Sequence, residues 1–421
     1  MTELNFQGSN INFVKLHNLR VILLSLLNEP SLSRVQLARK TNLSNTTITN
    51  LISELIKQGI VVEGEDSVLE QGELRPVGRP RTSIRLQPDA RFVVGIHIGV
   101  GIVRAAVANL QDGLLYNQQQ VFDIETPSDQ VLEQIASLAD SVISGSGVDR
   151  GQILGVGIGA SGLVDYSTGI NLIAPNLNWR DVPLREYFQN ALHLPVFVDN
   201  NVRAMAIAET YFGAGRGVDS LAFVYGRIGV GAGLISRGQV FRGSISGAGE
   251  IGHTPMLLHG GEPCRCGNSG CLETLVSEPA ILRSAESIAR VNPKGVLAQT
   301  MRQRLDLPPI ERVFTAARQG DGEVRAMLEE RAYYLGVAMA GLVNLFNPEL
   351  ILFGGIFAQG QDIFLEPTIR TVQQMAFGGL GKRVSMQATS FGWRAGVVGA
   401  AALALMVFFY GQEQPKMLEQ V

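Results

Sequence analysis

Residues 249–273 read GEIGHTPMLLHGGEPCRCGNSGCLE, and this stretch contains all three cysteines of the 421-residue chain. A histidine four residues after its first glycine precedes the cysteines. Three thiolates and one imidazole make a closed tetrahedral ligand set, the usual arrangement around structural zinc. The spacing therefore predicts a zinc site whose ligands are His253, Cys264, Cys266 and Cys271.

Two glycines in this stretch favour the metal site over the alternative of three buried free thiols. Gly267 and Gly270 allow the chain to fold back so that the last cysteine reaches the same ion. His259 is a weaker alternative for the fourth ligand because it stands in a glycine-flanked loop. Four protein ligands leave no open position for a catalytic water, so we expect a structural ion. An odd, clustered set of cysteines is a poor disulfide framework and favours a reducing cytoplasm.

The composition is that of a well-buried α/β protein with two or three domains. Hydrophobic residues make up 46% of the chain, glycines number 48 and the formal net charge is −3, which excludes a uniformly basic protein. The N-terminus lacks the basic-then-apolar pattern of a secretory signal, so we expect a cytoplasmic protein. The apolar run 395–410 is slightly short for a membrane span and rich in Gly and Ala, which predicts a buried helix and no membrane association.

From Arg91 onward, β-branched runs alternate with helical stretches. This alternation predicts mostly parallel sheets with crossover helices. The predicted strands are Phe92–Ile98, Ile153–Ile158, Val196–Val198, Leu221–Tyr225 and Leu350–Phe353.

The first 88 residues have the pattern of a winged helix-turn-helix. A helix over Asn12–Leu27, a short helix over Ser33–Lys40 and a tight turn precede a helix that runs to about Gln58. The third helix is apolar on one face and begins with short hydrogen-bonding side chains, which suit base edges in the major groove. Strands at residues 60–62 and 82–86 would form the wing, with residues 64–76 as a flexible wing loop or linker. The predicted DNA contacts are Arg34, Ser44, Asn45, Thr46, Thr47, Thr49, Asn50, Arg79 and Arg81.

A small helical bundle used for dimerisation is the alternative for this segment. Residues 1–88 hold ten basic and eight acidic residues, so net charge alone does not decide between the two. The basic residues cluster, whereas much of the acid lies in the predicted wing loop. Together with the threonine-rich helix and the arginines before the second wing strand, this clustering favours DNA binding.

The motifs in the remainder of the chain occur in the order of a known family. The stretch 249–253, the Cys-x-Cys-Gly-x-x-Gly-Cys run and Leu272-Glu273 resemble the signature of the ROK family, which joins bacterial sugar kinases with sugar-regulated repressors that carry an N-terminal winged helix. The resemblance covers nearly the whole chain. The further matching segments are Ala174-Pro175-Asn176-Leu177, Asp199-Asn200-Asn201, Gly354-Gly355 and Gly396-Val397-Val398-Gly399-Ala400.

The resemblance implies an α/β fold in which the winged helix is followed by a two-lobed, actin-like (hexokinase-like) domain. It places the winged helix-turn-helix, called the head below, at 1–88 and a first α/β lobe at 89–200. A second lobe with zinc loop and dimerisation helices follows at 201–390, and a C-terminal helix at 391–421 returns to the first lobe. Amides and carboxylates at the base of the cleft would pair with vicinal sugar hydroxyls. The implied sugar contacts are Asn176, Asn200, Asn201, Glu250, His253 and Glu273.

Three departures from the kinase pattern predict that the chain is not an enzyme. Asn201 stands where the family's kinases carry an Asp, and an amide cannot accept the hydroxyl proton near neutral pH. The first phosphate loop, Asp-x-Gly-x-Thr in the kinases, appears at 97–101 as His-Ile-Gly-Val-Gly. The second, Gly-Thr-Gly in the kinases, appears as Arg227-Ile228-Gly229, with bulk and charge where backbone amides would face phosphate.

The sequence therefore predicts a sugar-responsive transcriptional repressor that binds a two-fold-related operator as a homodimer or dimer of dimers. The expected effector is a hexose or pentose; a protein partner in its place, and activation of some promoters, stay open. One rival interpretation is an active sugar kinase with an accessory DNA-binding domain. Another is a ligand-independent structural DNA-binding protein with little sequence preference.

Overall fold

A computed structural model describes residues 11–65, 82–111 and 113–411 of the chain. The N-terminal head contains three helices and a two-stranded antiparallel wing. Its elements are α1 (Ile11–Asn28), α2 (Arg34–Thr41), α3 (Asn45–Lys57), β1 (Val61–Glu65) and β2 (Thr82–Leu86). The predicted helices and wing strands are thereby confirmed to within two residues at most ends.

Local sequence explains where the head helices begin. Ser33 and Gln36 form a reciprocal capping box at the start of α2. The hydroxyl of Ser44 accepts the backbone N–H of Thr47 at the start of α3. The turn between the two helices passes through Asn42 in the left-handed region, with φ of 54°. Both helix starts are therefore set by side chains adjacent to them in the sequence.

The first lobe is built on a five-stranded sheet with the order β10-β6-β3-β4-β5. A separate three-stranded antiparallel sheet, β7-β8-β9, lies in the same lobe. The elements are β3 (Phe92–Gly99), β4 (Ile102–Asn109), β5 (Leu114–Val121), α4 (Ser128–Gly145), β6 (Ile153–Ala160), β7 (Leu163–Asp165), β8 (Ile170–Ala174), β9 (Trp179–Val182), α5 (Leu184–Leu192) and β10 (Val196–Asn200).

The second lobe is built on a sheet with the order β13-β12-β11-β14-β15, flanked by helices. Helices α11 and α13 pack against each other along their length and contribute to its core. The elements are α6 (Asn201–Phe212), β11 (Ser220–Gly226), β12 (Val230–Ser236), β13 (Gln239–Phe241), α7 (Leu272–Val276), α8 (Glu278–Val291), α9 (Val296–Gln303), α10 (Pro309–Arg318), α11 (Gly322–Phe346), β14 (Leu350–Gly355), α12 (Ile356–Gln359), α13 (Gln361–Met375) and β15 (Ser385–Ala388).

The expectation of mostly parallel sheets was wrong. In each five-stranded sheet two of the four strand pairings are parallel and two are antiparallel. The five predicted strands are β3, β6, β10, β11 and β14, and every parallel pairing involves at least one of them. The unpredicted strands β4, β5, β12 and β13 extend the sheets by antiparallel pairing, because short connections let the chain turn straight back.

The C-terminal helix α14 (Ala395–Phe408) lies between the first-lobe sheet and α6. All residues from Ala395 to Val407 are buried, which confirms the predicted buried helix. No helix in the described part of the chain has the length and apolarity needed to cross a membrane. The sheet carries glycines where α14 crosses it: a Cβ on Gly157 would lie 2.2 Å from the Ala400 carbonyl oxygen. Glycine therefore sets the close approach of helix and sheet.

The head and the first lobe share one hydrophobic cluster. Leu26 and Leu55 of the head belong to the same set of contacting buried side chains as Leu403 and Tyr410 at the C-terminal end of the chain's last helix. The predicted boundaries at residues 88, 200 and 390 stay predictions; each falls close to the end of an element, after β2, after β10 and before α14.

Candidate functional site

A cavity of about 380 Å³ lies between the two lobes. Its walls come from the C-terminal ends of β3 and β6, the start of α6, the β11–β12 hairpin and the loop that carries the cysteines. This is the edge of the sheets where α/β proteins place their ligands. All six predicted sugar contacts line it: Asn176, Asn200, Asn201, Glu250, His253 and Glu273.

The two adjacent asparagines contribute differently to the cavity wall. Asn200 caps α6: its Oδ1 accepts the N–H groups of Val202 and Arg203, and its Nδ2 donates to the Gly162 carbonyl. One N–H of its amide is left for a ligand. Asn201 donates from Nδ2 to Ser161 Oγ at 3.2 Å, which leaves its Oδ1 as an acceptor. Asn201 is thus the better placed of the two to bind a hydroxyl.

Two carboxylates face the cavity from the second lobe. The Oε2 atom of Glu273 accepts the backbone N–H of Val230 at 2.9 Å, which fixes the orientation of the carboxylate. Desolvation by the surrounding protein raises the pKa of Glu273, against the opposing effect of the Val230 hydrogen bond. Glu250 is open to solvent through the cavity, but the protein on its other sides still desolvates the carboxylate and raises its pKa. His253 and Arg203 oppose that increase.

Side chains from opposite lobes converge at Gly229. A Cβ at this position would lie 2.9 Å from Glu273 Oε2 and 3.4 Å from Asn176 Nδ2. An amide donor from the first lobe and a carboxylate acceptor from the second therefore meet across the narrow part of the cavity. Such a pair matches two neighbouring hydroxyls of a sugar ring.

The predicted metal ligands form a cluster beside the cavity. One ligand atom from each of four side chains lies within 4.8 Å of the others, and these residues are His253, Cys264, Cys266 and Cys271. The separations include 3.6 Å from Cys264 Sγ to His253 Nδ1 and 3.8 Å from Cys266 Sγ to Cys271 Sγ. In a tetrahedral zinc site with the usual bond lengths, ligand atoms stand roughly 3.5–3.8 Å apart. The donor set and spacing fit such an ion.

Backbone turns bring the cysteines together as the glycines predicted. Gly267 and Gly270 both have positive φ, at 97° and 68°. A Cβ on Gly270 would lie 2.2 Å from the Leu257 carbonyl oxygen, so only glycine fits there. His259 is exposed and is not among the four clustered ligands. Since His253 and Cys266 also line the cavity, the metal cluster and the cavity share a wall.

The positions predicted to match the kinase phosphate loops carry a histidine and an arginine on opposite lobes. His97 and Arg227 both line the cavity. His97 is 3% exposed, and neither ring nitrogen has a hydrogen-bond partner among the described residues. Burial, then the positive charges of Arg104 and Arg227, lowers the pKa of His97 to about 3. The imidazole is therefore neutral over the physiological range.

The structure also contains a buried ion cluster that the sequence reasoning missed. Asp199 contacts Arg203 and Arg242, with N–O distances of 2.6 and 2.8 Å. Burial raises the pKa of Asp199, but the two guanidinium groups outweigh this effect and hold it below its usual value. The Asp-x-x-x-Arg spacing across the start of α6 was the available signal. Other unpredicted lining residues include Ser161, Tyr225 and Arg265.

The head presents its predicted polar face on α3. Ser44, Asn45, Thr46, Thr49 and Asn50 are exposed, and Thr47 is half-buried. The opposite face is buried against the head core through Ile48, Leu51, Ile52 and Leu55.

Of the three arginines predicted to contact DNA, Arg34 lies in the described part of the chain. Arg34 forms an ion pair with Glu63 of the wing at 2.9 Å, so its charge is already matched within the head. Its role in DNA binding stays a prediction. Arg79 and Arg81 lie outside the described residues.

Comparison with known proteins identifies both parts of the chain. A model described as "ROK family" matches residues 93–407, and one described as "Winged helix-turn-helix DNA-binding" matches residues 16–62. The xylose repressor of Caldicellulosiruptor bescii is 30% identical over 94% of this chain and 97% of its own length. A glucokinase of Halalkalibacterium halodurans is 31% identical over 74% of this chain and 94% of its own.

Solved structures support the same assignment. A ROK family transcriptional regulator described as a homologue of the Escherichia coli MLC protein superposes with a TM-score of 0.79, at 27% identity, over 94% of this chain and 97% of its own. The winged helix-turn-helix followed by the two-lobed kinase-like fold is thereby confirmed. The chain belongs to the ROK family.

Proposed function

We propose that this protein is a sugar-responsive transcriptional repressor whose head binds operator DNA and whose inter-lobe cavity binds a monosaccharide. The observation that carries the proposal is the extent of the similarities. The xylose repressor matches the chain almost end to end, whereas the glucokinase leaves about a quarter of it unmatched. The chain has in addition a winged helix-turn-helix, which a kinase does not need.

The cavity is proposed to bind a hexose or pentose through the amide of Asn201, the carboxylates of Glu250 and Glu273, the imidazole edge of His253 and the amide of Asn176. Asn200 contributes its one remaining N–H. Acceptors and donors on both lobes allow the sugar to favour one relative placement of the lobes, which is what an effector must do. The small volume of about 380 Å³ suits a monosaccharide.

Zinc is the proposed ion for the cluster beside the cavity, held by His253, Cys264, Cys266 and Cys271. When bound, the ion supplies a structural cross-link and keeps the thiolates deprotonated. The side chains then orient one wall of the cavity: His253 is held at Nδ1, so its other ring edge is free for the sugar. Arg265 and Cys266, which line the cavity, are fixed by the same loop.

The same geometry supports the absence of kinase activity. Asn201 provides an amide where proton abstraction needs a carboxylate. His97 is buried and neutral, so it cannot serve as the acidic group of the first phosphate loop. Arg227 occupies the second loop position and contacts Glu278 at 3.8 Å. The rival proposal of an active sugar kinase requires all three positions to function despite these replacements.

On the DNA side, we propose that Ser44, Asn45, Thr46, Thr47, Thr49 and Asn50 approach the major groove, with Arg34, Arg79 and Arg81 close to phosphates or the minor groove. A homodimer or dimer of dimers would present two such heads to half-sites separated by one or two helical turns.

The test is fluorescence anisotropy on labelled DNA from the gene's own upstream region, at fixed salt, against scrambled DNA of equal length. D-xylose, D-glucose and other monosaccharides are then added at millimolar concentration. Sequence-preferring binding that one sugar changes, and that Glu250→Gln makes insensitive to the sugar, supports the proposal. ATP-dependent phosphorylation of any of these sugars, or binding no tighter than to scrambled DNA, contradicts it.

A further inference from the structure

Helix α14 contacts the cavity wall at one end and the head at the other. Gly396, in its first turn, packs on the ring of His97: a Cβ there would lie 2.6 Å from the imidazole Cγ. Just beyond its C-terminal end, the Tyr410 hydroxyl donates to the Leu110 carbonyl at 2.7 Å. The next residue, Gly411, packs on the guanidinium group of Arg20 in α1, since a Cβ on it would lie 2.1 Å from Nε.

Near its middle, α14 is packed closely against neighbouring backbone on both sides. A Cβ on Gly399 would lie 2.8 Å from the backbone nitrogen of Met205 in α6. On the opposite side, a Cβ on Gly95 in β3 would lie 2.5 Å from the Ala401 nitrogen. Backbone thus rests on backbone on both sides, with no long side chain to absorb a shift. Close-packed interiors pass such displacements on as rigid-body movements of whole elements.

Both elements that hold α14 also form the cavity wall. Strand β3 supplies His97, and α6 begins with Asn201. The ring nitrogens of His97 have no hydrogen-bond partner among the described residues, so packing alone holds the ring against Gly396. A change in the spacing of the cavity walls therefore reaches α14 through two independent contacts.

We propose that α14 transmits occupancy of the cavity to the DNA-binding head. The inference rests on the proposed function and specifies its regulation. A sugar that shifts α6 or His97 relative to α14 displaces the last turn of the helix. Gly411 then moves α1 through its contact with Arg20. Tyr410 acts on the end of the head through Leu110, whose N–H donates to the Pro88 carbonyl at 3.0 Å. Both contacts change the placement of α3. The sugar affects DNA affinity only as far as these contacts differ between the two states.

The test separates binding from communication by two substitutions, one at each end of α14. Gly396→Ala forces the His97 ring out of its packing position, and Tyr410→Phe removes only the hydroxyl that reaches Leu110. In each variant the sugar affinity is measured by calorimetry with D-xylose and D-glucose. Operator affinity is measured by anisotropy with and without the saturating sugar. The quantity compared is the ratio of the two operator affinities.

We expect the wild-type ratio to be in the range of about 5–150-fold, and to fall to about twofold or less in both variants. In Tyr410→Phe, sugar affinity and operator affinity without sugar should each stay within about threefold of wild type, because Tyr410 touches no proposed sugar or DNA contact. In Gly396→Ala the displaced His97 ring belongs to the cavity wall, so the sugar is added at a concentration that saturates the variant at its own measured affinity. Each variant is checked by circular dichroism and thermal unfolding. Tyr410→Phe is the milder change and decides the matter if Gly396→Ala does not fold.

Two matched substitutions serve as controls. Gly341→Ala adds a methyl group to a helical glycine in α11 where nothing lies within 4 Å. Tyr211→Phe removes a hydroxyl that also donates to a carbonyl at 2.7 Å, that of Gly238 in the second lobe. Both should keep the wild-type ratio.

The outcomes distinguish this inference from the function on which it rests. A wild-type protein that shows no sequence-preferring DNA binding, or no sugar response, contradicts the proposed function and this inference with it. A wild-type response that persists undiminished in Tyr410→Phe and in folded Gly396→Ala contradicts only the role of α14. Loss of sugar binding in Tyr410→Phe also contradicts it, because the contact would then belong to the binding site itself.

Discussion

The Nε atom of Arg203 lies 2.6 Å from Asp199 Oδ1, and the two side chains are 1% and 0% exposed. The same guanidinium group donates to the Ser246 carbonyl at 2.7 Å and to the Val164 carbonyl at 3.2 Å. The pair therefore joins β10 and α6 to the loop that leads to Glu250. A buried charge pair here holds one wall of the cavity in position.

Removing one partner of this pair should be costly. Asp199→Ala leaves the Arg203 guanidinium buried without its carboxylate, and we expect it to lower the free energy of unfolding by about 3–5 kcal/mol. Urea unfolding at pH 7 measures the loss. Glu366→Ala is the matched control, because Glu366 and Arg370 form an i,i+4 pair of the same spacing on an exposed surface. Its expected cost is about 0.5 kcal/mol or less. Equal losses in the two variants would contradict the role given to burial.

The same carboxylate predicts a pH dependence. The guanidinium groups overcome the effect of burial and hold the pKa of Asp199 below its usual value in the folded state. The stabilisation is therefore complete above the unfolded-state pKa of about 3.9 and is lost as pH falls through the lower folded-state pKa. The difference in unfolding free energy between wild type and Asp199→Ala should be constant from pH 7 to about 5 and shrink below about pH 4. A difference that grows on acidification would contradict this assignment.

Two neighbouring hydroxyls at the start of α3 should separate stability from DNA contact. Ser44→Ala removes the acceptor of the Thr47 N–H and should cost about 1 kcal/mol of stability as well as operator affinity. Thr46 is exposed, so Thr46→Ala should weaken operator binding with little change in unfolding. Thermal unfolding and anisotropy on the same samples measure both. Unchanged operator affinity in Thr46→Ala would remove this residue from the proposed interface.

Loss of the metal should weaken sugar binding and leave operator binding by the head unchanged. Zinc-loaded protein is expected to contain one ion per chain by elemental analysis, and a chelator or Cys266→Ser should remove it. Because His253 and Cys266 line the cavity, sugar affinity should fall by roughly 10–100-fold, as is usual when the groups orienting a site are lost. Operator binding in the absence of sugar serves as the internal control and should stay unchanged. Full sugar affinity in metal-free protein would show that the cluster does not support the cavity.

Introducing a carboxylate at Asn201, the position predicted to match the kinase base, should not create a kinase. Asn201→Asp replaces the amide that donates to Ser161 Oγ and should change sugar affinity, which calorimetry measures. We expect no ATP-dependent phosphorylation, because His97 and Arg227 remain at the phosphate positions. Asn190→Asp makes the same chemical change at an exposed position and controls for charge. Turnover in Asn201→Asp would mean that a single residue accounts for the absence of catalysis.

The sequence predicted the elements that are recognisable from a local pattern of apolar residues. Strand β3 is buried at every position, so its run of Val and Ile stands out. Strand β5, LLYNQQQV, alternates between half-buried and exposed residues and carries four consecutive amide side chains. Its place at the sheet edge depends on pairing with β4, which lies outside the reach of composition or periodicity.

The site residues that could be predicted are likewise those with a local signal in the sequence. The cysteine cluster was predictable because its ligands are close in sequence and chemically distinctive. Asn200 was predicted as a sugar contact, yet most of its amide caps α6, and its position immediately before a helical run was the signal for that role. Arg34 was predicted from charge alone, and its pairing with Glu63 arises only when α2 and the wing strand come together.

The hydrophobic cluster shared by the head and the end of α14 has a consequence for how such repressors diversify. A chimera joined at residue 88 would keep the peptide link but set a foreign head against this chain's Tyr410 and Gly411. The unit that can be exchanged between relatives is then discontinuous: the head together with Tyr410 and Gly411, which follow the end of α14. Recombination at a single crossover cannot move both, so new operator specificities should arise by point substitution on α3 more readily than by swapping heads.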